Sequence, residues 1–254
     1  MRFSFLPRIQ LPVKPLTLIP LEHLAYEPAY ERQNHHHTQI LDARKTPAAE
    51  LGRVMMIEHP PIITVTRRPD APAHVLATES QLAKQGVQLH QTDRGGDVTY
   101  HGPGQLVCYP IIDLNAAKLR IHDYIRLLEQ SVIDTLATYN IIAHTDSAAT
   151  GVWVAPKDNP THTFASDQPA KICAIGVRVR KWITLHGLAL NLNPNMDHYN
   201  LLIPCGLTNR PVTSITQLLG DQNSPTLENL SNELFKNLSI NFTTQHTTLV
   251  PPSS

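Results

Sequence analysis

Apolar runs in the middle of the chain predict β-strands. Residues 53–68 contain two short apolar runs, and residues 151–156 form one more. Between residues 172 and 192 two further runs follow each other, with a turn predicted near Arg180 and Lys181. The pattern therefore predicts a β-hairpin beside other strands of a sheet.

Apolar residues at steps of three and four predict helices before and after these strands. Residues 79–93 are expected to form a short helix closed by Gly86, followed by a strand. The last helix is predicted at residues 224–238, with Ser224 as its cap and Pro225 in its first position. A helix of about five turns is predicted by Ile121, Ile125, Leu128, Val132 and Leu136.

The order of these elements indicates the fold class. Strands dominate the middle of the chain, and helices occur singly between them, which predicts an α+β fold with a mixed or largely antiparallel sheet flanked by helices. The 254 residues suffice for one substantial domain, expected at residues 21–240. Residues 1–20 are expected to be an extended or disordered arm, and residues 241–254 a loose polar tail.

The arm carries Arg and Lys without acidic residues, which is a feature of organellar transit peptides. Its four prolines would interrupt the amphipathic helix that such a peptide needs. A plain arm is therefore the favoured interpretation, and a mitochondrial matrix location is the second choice after the cytoplasm.

Charge and cysteine content narrow the possible functions. The chain has 21 Lys and Arg residues against 21 Asp and Glu residues, a balance that does not favour binding to nucleic acid. No apolar run approaches the roughly 20 residues that a membrane-spanning helix needs. Three cysteines without regular spacing argue against a disulfide framework and indicate a reducing compartment, so a cytoplasmic location is expected.

The run His35, His36 and His37 raises the question of a metal site. Consecutive residues on a helix or strand cannot all face one ion, and no second ligand cluster accompanies them. The run is interpreted as a solvated polar stretch that, together with Pro28, weakens a possible helix at residues 26–40. No metal is predicted.

Cys205 is the candidate nucleophile. A cysteine attacks a thioester as its thiolate, and an ordinary thiol, with a pKa of about 8.5, is only slightly ionised at pH 7. Lys171 begins an apolar β run, and an ammonium group brought to the sulfur by a sheet would favour the thiolate. In its neutral form the same lysine is a candidate base for an incoming amine.

The residues around Cys205 favour a reactive role. Pro204 and Gly206 place it in a turn, and Gly206 lets a substrate approach the sulfur closely. Composition alone favours a buried packing residue, which stays the alternative. Cys108 and Cys173 lie inside apolar strand sequence and are expected to be inert core residues.

Residues 94–105 contain four glycines and one proline, too many for the interior of a strand, so the backbone is expected to line a site. The segment has neither the ending of a phosphate-binding P-loop nor the spacing of a dinucleotide motif. Arg94 is a candidate for binding a phosphate or a carboxylate, with an ordinary surface position as the alternative. His101 is a candidate for orienting a carbonyl or the thiol, with a structural hydrogen bond as the alternative.

These segments also carry a family resemblance. They are RGGDVTYHGPGQLVCYPI (94–111), KICAIGVRVR (171–180), HGLALNLN (186–193) and IPCG (203–206). Together with EHPPIITVTRR (58–68), they closely resemble the lipoyl(octanoyl) transferases over about residues 50–218. The resemblance implies the fold of the biotin and lipoate protein ligases, which is similar to the catalytic core of class II aminoacyl-tRNA synthetases.

The resemblance implies an acyltransferase that moves an octanoyl or lipoyl group from acyl carrier protein to a specific lysine of lipoyl domains, in lipoate biosynthesis. The implied acceptors are the lipoyl domains of 2-oxoacid dehydrogenase complexes and glycine cleavage H protein. The acyl-thioester cysteine of the family falls on Cys205 and its activating lysine on Lys171. The implied substrate-lining residues are Arg94, Gly95, Gly96, Asp97, Val98, Thr99, Tyr100, His101, Ala174, Ile175, Gly176, Gly187, Leu188 and Ala189.

No cofactor is implied, because the phosphopantetheine of the donor is part of the substrate. Neither nucleic acid nor a membrane is an expected partner. The chain departs from the family pattern at Thr66, where a glycine is usual, at Cys173, where an alanine is frequent, and in a longer loop before Lys171. The departure at Thr66 puts the contribution of its strand to the site in doubt, and none of the three touches the proposed catalytic pair.

Three other functions remain open from the sequence. An ATP-dependent lipoate or biotin protein ligase would share the fold and need no cysteine. A cysteine hydrolase would pair Cys205 with His101 or His186 and release a free acid. A binding module without catalysis would simply bury Cys205.

A basic patch for an acidic carrier protein is expected among Arg67, Arg68, Arg178 and Arg180.

Overall fold

The computed structural model describes residues 14–208 and 210–248. The strands in these residues are β1 (Thr17–His23), β2 (Gly52–Glu58), β3 (Ile62–Val65), β4 (Gln88–Gln91), β5 (Thr99–His101), β6 (Gln105–Ile112), β7 (Ala143–Thr145), β8 (Val152–Val154), β9 (Ala170–Arg180) and β10 (Ile183–Asn191). The α-helices are α1 (Tyr26–Ala43), α2 (Glu79–Lys84), α3 (Leu114–Ala117), α4 (Ile121–Ala137), α5 (Ile215–Leu219) and α6 (Leu227–Thr248). Short 3-10 segments lie at Ala71–His74, Pro156–Asp158, Met196–Leu201, Pro204–Gly206 and Asp221–Asn223.

The strands form two sheets. Within the described residues the larger sheet has seven strands, in the order β1-β2-β6-β10-β9-β8-β7. β1 and β2 run parallel, and the other neighbouring pairs are antiparallel. The smaller sheet has the order β4-β3-β5, with β3 parallel to β4 and antiparallel to β5. The predicted α+β fold with a mixed, largely antiparallel sheet is confirmed.

Helices cover both faces of the larger sheet. Successive residues of β2 point to opposite faces, so Val54 and Met56 enter the core below α4 and α6, whereas Met55 and Ile57 pack with α1. Both faces are buried, which explains why β2 reads as a continuous apolar run rather than an alternating one. The smaller sheet has a core of its own that includes Ile63.

The predicted hairpin is formed by β9 and β10. Lys181 and Trp182 connect the strands with φ angles of 52° and 64°, the left-handed pair that a two-residue type I′ turn requires. The turn predicted near Arg180 and Lys181 is therefore confirmed. Lys171 lies near the start of β9 and is buried.

α1 is a full helix of 18 residues that includes the three histidines. His37 is 2% exposed, and its Nε2 donates to the carbonyl oxygen of Arg180 at 2.9 Å. The expected solvated stretch is therefore wrong for His37, because the helix turns this side chain towards the β9–β10 hairpin. His35, two residues earlier, is exposed. Within the described residues no group of three side chains is arranged to hold a metal ion.

α6 begins and ends later than predicted. Its first turn is capped by Thr226, whose Oγ1 accepts from the amide of Asn229 at 3.1 Å, so the predicted cap Ser224 lies outside the helix. The helix continues to residue 248, and the loose tail expected from residue 241 is wrong for residues 241–248. Phe242 is 1% exposed and belongs to the core shared with α4.

The N-terminal boundary also differs from the expectation. Residues 17–20, expected in an extended or disordered arm, belong to β1, which pairs with β2 over Thr17 to His23. Residues 1–13 and 249–254, which hold the rest of the predicted arm and tail, lie outside the described residues. None of the described helices combines the length and the apolar character that crossing a membrane requires.

Candidate active site

A cavity of about 250 Å³ lies where the two sheets meet. It is bounded by the β9–β10 hairpin, by the glycine-rich segment that leads into β5, and by the turn that carries Cys205. Most of the catalytic and substrate-lining residues predicted from the sequence lie at the wall of this cavity. They are Arg94, Gly96, Asp97, Thr99, His101, Lys171, Ala174, Ile175, Gly176, Gly187, Leu188, Ala189 and Cys205. Segments far apart in the chain are thus brought to one place, and the chemical roles of these residues stay predictions.

Three nominated residues do not line the cavity. Val98 and Tyr100 are fully buried in the core of the smaller sheet, because successive residues of this extended segment alternate between its two faces. Gly95 contributes backbone contacts, and its amide donates to the carbonyl of Val177 at 3.0 Å. The family resemblance implied that all residues from 94 to 101 line the substrate site. In the structure only some of them do, because Val98 and Tyr100 point into the core instead.

Lys171 and Cys205 are in direct contact. Lys171 Nζ donates to Cys205 Sγ at 3.2 Å and to the carbonyl oxygen of Thr150 at 3.0 Å. The lysine is 6% exposed, and its backbone bonds on both sides to the segment after Cys205: its amide donates to Pro211, and its carbonyl accepts from Thr213. The two side chains are therefore held together by the fold rather than by a flexible surface encounter.

The backbone of the Cys205 turn is left-handed. Cys205 has φ 57° and Gly206 has φ 66°, and the Cys205 amide donates to the carbonyl of Val98 at 3.0 Å. A residue other than glycine, asparagine or aspartate rarely adopts this conformation, and it marks a constrained position. Cys205 is partly exposed at the cavity, in contrast to the packing role that composition alone favoured.

The other two cysteines are buried core residues, as predicted. Cys108 and Cys173 are fully buried, and burial raises the pKa of both thiols above the usual value. Both are therefore neutral and poorly nucleophilic near pH 7.

A carboxylate and an imidazole lie directly beneath the Cys205 turn. Asp97 Oδ1 accepts from His74 Nδ1 at 2.7 Å and from the amide of Val98 at 2.7 Å. A Cβ atom on Gly206 would lie 3.0 Å from Asp97 Oδ2 and 2.9 Å from His74 Cε1. The turn therefore rests against this pair, so Asp97 has a structural task besides lining the cavity.

The glycine-rich segment approaches the hairpin backbone closely. A Cβ atom on Gly176 would lie 2.7 Å from the carbonyl oxygen of Gly95, so a larger residue would push the two strands apart. Thr66 Oγ1 donates to the carbonyl of Gly96 at 3.1 Å. The residue that departs from the family pattern therefore still supports the site, through its hydroxyl.

Arg94 reaches the cavity without an ionic partner among the described residues. Its guanidinium donates to the carbonyl oxygen and Oγ1 of Thr64, at 3.1 and 3.0 Å, and to the carbonyl of Gly95. Burial lowers the pKa of Arg94 from its usual value. A guanidinium held by neutral acceptors at a cavity wall suits an electron-rich oxygen of a ligand.

A neutral imidazole, His101, lines the wall near Arg94, and the ring of His59 packs against it at 5.8 Å between ring centres. His101 Nδ1 pairs with Gln105 Oε1 at 2.8 Å, and burial lowers the pKa of His101 to about 3. His59 Nδ1 donates to the carbonyl of Leu24 at 2.6 Å, and burial lowers the pKa of His59 to about 4. An imidazole with a pKa near 3 is a weak base at pH 7, which argues against the hydrolase that uses His101.

Three of the four arginines expected to form a docking patch have partners in the protein, and one of these, the exposed Arg68, has only a long contact of 3.9 Å from its NH1 to Asp97 Oδ2. Arg178 contacts the carboxylate of Asp93, and Arg180 NH2 donates to Asn34 Oδ1 at 3.2 Å. Arg67 and Arg68 are exposed, and Arg68 also lines the cavity. The exposed basic surface near the opening is therefore smaller than the sequence suggested.

Comparison with known proteins places the chain in a family. The family model described as "Lipoyl protein ligase A/B catalytic domain" matches residues 26–239. The chain belongs to this family. An octanoyltransferase from Chloroflexus aggregans is 39% identical to it over 228 residues, which cover 89% of this chain and 94% of the relative. One from Bacteroides fragilis is 39% identical over 199 residues, which cover 78% and 86%.

The fold of this lipoyl protein ligase A/B family member also agrees with a solved structure. The bi-partite lipoate protein ligase from Thermoplasma acidophilum aligns with a TM-score of 0.63 and 15% identity, covering 91% of this chain and 85% of that chain. At this identity the likeness shows the fold alone. The family and the fold inferred from the sequence motifs are confirmed, and the likeness to class II synthetases stays a prediction.

Several residues that line the cavity were not predicted from the sequence. They are Tyr26, Val107, Tyr109, Ala148, Ala149, Thr150 and Leu207. Val107 and Tyr109 share one face of β6, so two-residue alternation is a signal that was present. The 148–150 loop has no periodic pattern, and its place in the site follows only from contacts across the sheet. His186, considered only for a hydrolase, also lines the cavity, with its Nε2 2.9 Å from Asp93 Oδ1.

Proposed function

We propose that the protein is an octanoyltransferase in which Cys205 carries the acyl group. Lys171 donates a proton in the first step and accepts one in the second. The contact of 3.2 Å between Lys171 Nζ and Cys205 Sγ, at the wall of a cavity, is the observation that carries this proposal. Relatives at 39% identity are named octanoyltransferases, which supports the identity of the group.

The first step loads the enzyme. Cys205 reacts as a thiolate, stabilised by the ammonium of Lys171. The sulfur attacks the carbonyl carbon of a thioester donor, the new carbon–sulfur bond forms, and the bond to the donor sulfur breaks. The donor thiolate takes a proton from Lys171 and leaves as a thiol, so Lys171 is neutral beside an uncharged acyl-cysteine.

The second step transfers the group to an amine. The nitrogen of a lysine side chain attacks the acyl carbon, Lys171 takes one proton from that nitrogen, and the bond to Cys205 Sγ breaks. The products are an amide, a thiolate and an ammonium, which restores the starting pair. An amide is more stable than a thioester, so the proposal requires no ATP and no cofactor, the phosphopantetheine of the donor being part of the substrate.

The apolar wall of the cavity suits a short acyl chain. Val107, Ala174, Ile175, Leu188 and Ala189 line it from β6, β9 and β10. At about 0.8 kcal/mol per buried methylene, seven carbons beyond the carbonyl contribute roughly 5 to 6 kcal/mol before the costs of binding. The depth of the apolar wall would then select the chain length.

The proposed partners follow from this chemistry. The donor is an octanoyl-acyl carrier protein, and the acceptors are lipoyl domains of 2-oxoacid dehydrogenase complexes and glycine cleavage H protein. Carrier proteins are usually acidic, and the exposed Arg67 and Arg68 beside the cavity offer a matching charge. The proposed location is the cytoplasm, where the free state of the three cysteines fits a reducing environment.

Mass spectrometry of the intact protein tests the proposal. After incubation with octanoyl-acyl carrier protein, the wild type should gain the mass of one octanoyl group and pass it to an added lipoyl domain. The double variant Cys108→Ala, Cys173→Ala should still gain it, and Cys205→Ser should not. An ATP-dependent ligase would modify the lipoyl domain with Cys205→Ser when given octanoate and ATP, and a hydrolase would release free octanoate.

A further inference from the structure

Glu129 is a buried carboxylate that the proposed reaction does not use. It lies in α4 with 0% exposure, beside apolar residues such as Leu128 and Val132. An ionised carboxylate removed from water is strongly unfavourable unless hydrogen bonds and charges compensate it. Arg126 contacts Glu129 Oε2 at 2.5 Å, and the amide of Gly151 donates to Glu129 Oε1 at 3.0 Å.

The Gly151 amide shares a peptide group with the carbonyl of Thr150. The peptide bonds of the described residues are trans, so this N–H and this C=O point in opposite directions. The N–H donates to Glu129, and the C=O accepts from Lys171 Nζ at 3.0 Å. One peptide group therefore connects the buried carboxylate to the ammonium that contacts Cys205.

The residues on either side keep this peptide group in place. Trp153 Nε1 donates to the carbonyl of Ala149 at 3.0 Å, and Lys171 Nζ lies 4.9 Å from the centre of the Trp153 ring. Gly151 has φ +129°, and a Cβ atom there would lie 2.5 Å from the carbonyl oxygen of Cys173. Glycine thus lets the turn approach β9 closely enough to bond the lysine.

We propose that Glu129 is a positioning residue for Lys171, acting through the peptide group between Thr150 and Gly151. The carboxylate orients and polarises this group, which makes its carbonyl a stronger acceptor for the lysine ammonium. It thereby holds Nζ at its distance from Cys205 Sγ. The inference rests on the proposed pairing of Lys171 with Cys205.

Among the described residues, four other titratable groups lie around this connection: Arg126, Cys173, Arg210 and Asp146. Arg126 binds Glu129 from the solvent side and is itself 59% exposed. Cys173 is a neutral thiol because burial raises its pKa. Arg210 lies 4.0 Å from the centre of the Trp153 ring and is paired with Asp146. Glu129 is therefore the negative group that this peptide group connects to Lys171.

The test measures the alkylation of Cys205 by iodoacetamide in the protein alone, with peptide mass mapping to identify the modified residue. Glu129→Gln keeps the shape of the side chain and removes its charge. We expect the alkylation rate at pH 7 to fall about tenfold, and the rate–pH profile to move to higher pH. A folded Glu129→Gln protein with the wild-type profile would overturn the proposal.

Thr135→Ala is the matched control, because it removes another buried hydrogen bond of α4, from Thr135 Oγ1 to Ser131. It should lower the melting temperature and leave the alkylation profile unchanged, and a shift as large as that of Glu129→Gln would contradict the positioning role. Hydrogen exchange of the Gly151 amide in the wild type gives a second test that needs no variant. The amide should exchange slowly, and fast exchange would overturn the proposal.

The alkylation assay involves no acyl donor, so it separates this proposal from the proposed function. If Glu129→Gln shifts the profile but the wild type gains no octanoyl group, the positioning role stands and the octanoyltransferase proposal fails. If the wild type is octanoylated but the profile does not shift, the opposite holds.

Discussion

Gly206 follows the candidate nucleophile with φ +66° and lies against His74 and Asp97. The contact ties the Cys205 turn to residues far earlier in the chain. Because a Cβ atom would lie only 2.9 Å from His74 Cε1 and 3.0 Å from Asp97 Oδ2, closer than van der Waals contact, the position of the sulfur depends on the absence of a side chain at its neighbour.

Gly206→Ala should lower the stability by roughly 2 kcal/mol or more, because left-handed strain and overpacking add. Gly86→Ala is the matched control: Gly86 has nearly the same φ, +65°, and a Cβ atom added there would have no neighbour within 4 Å. It should cost only about 1 kcal/mol. Urea denaturation gives both values, and equal losses in the two variants would show that the His74–Asp97 contact has no effect.

Lys171→Met should keep the fold and lower the rate of Cys205 octanoylation by about 100-fold or more, because the ammonium and the base are both lost. Lys171→Arg should form the acyl-enzyme poorly and fail to transfer it, since an arginine does not release its proton at accessible pH. Mass spectrometry of samples quenched at successive times follows the acylation of Cys205 and the transfer to the lipoyl domain separately. Transfer at the wild-type rate by Lys171→Arg would exclude Lys171 as the base.

The residues proposed to carry the chemistry were recognisable in the sequence because their types and neighbours are informative. Cys205 lies between proline and glycine, and Lys171 opens an apolar strand. Their supports were not recognisable. The contact of His74 with Asp97, and that of Glu129 with Gly151, join segments that are distant in the chain, and no local pattern reports which carboxylate faces which partner.

At the scale of elements, α6 shows how composition can hide periodicity. Its last part is polar and rich in Thr, a composition that predicts a loose tail from residue 241. Leu234, Leu238 and Phe242 nevertheless recur at steps of four and face α4, so the apolar stripe continues into the polar segment. α4 and the β9–β10 hairpin were predictable, because their periods are regular over their whole length.

Phe242→Ala should destabilise the protein by about 3 to 5 kcal/mol, the usual cost of removing a buried aromatic ring. Ile240→Ala, two residues earlier on the same helix, should cost less than about 1 kcal/mol, because Ile240 is 50% exposed. Thermal unfolding of both variants checks this. Similar small losses would mean that the end of α6 is not anchored in solution.

At the scale of the whole molecule, buried neutral histidines link folding to pH. His59 and His101 lie between α1, the sheets and the cavity, with pKa values lowered by burial to about 4 and about 3. An unfolded histidine has a pKa of about 6.5, so the unfolded chain binds more protons below that pH. The stability that the neutral histidines contribute is fully present above about pH 6.5. It is lost as the pH falls towards about 4 for His59 and about 3 for His101.

The free energy of unfolding should therefore fall by about 1.4 kcal/mol per pH unit for each of the two histidines below pH 6. His59→Asn should lower this slope by the contribution of one histidine, about 1.4 kcal/mol per pH unit. His35→Asn, at an exposed position of α1, should leave the slope unchanged. Urea titrations between about pH 6 and pH 4.5 measure the slopes. An equal slope in the wild type and in His59→Asn would contradict the neutral state of His59.

The overall architecture was predictable as a class but not in its layout. The strand pattern and the motifs indicated an α+β family with one large sheet. They did not indicate that Thr99–His101 belong to a second, smaller sheet, or that β1 forms the edge strand of the larger one. Both depend on pairings between distant segments, and side-chain patterns along a single strand do not encode the identity of its partner.

The left-handed turn at Cys205 has a consequence for any reaction at its sulfur. The amides of Cys205, Gly206 and Leu207 already donate, at 3.0 Å each, to the carbonyls of Val98, Ile203 and Pro204. When a carbonyl carbon becomes tetrahedral at the sulfur, the oxyanion that forms meets no spare amide hydrogen in this turn. Its charge must be balanced by donors outside this turn, and Lys171 Nζ, with three hydrogens and two acceptors, has one hydrogen left to donate.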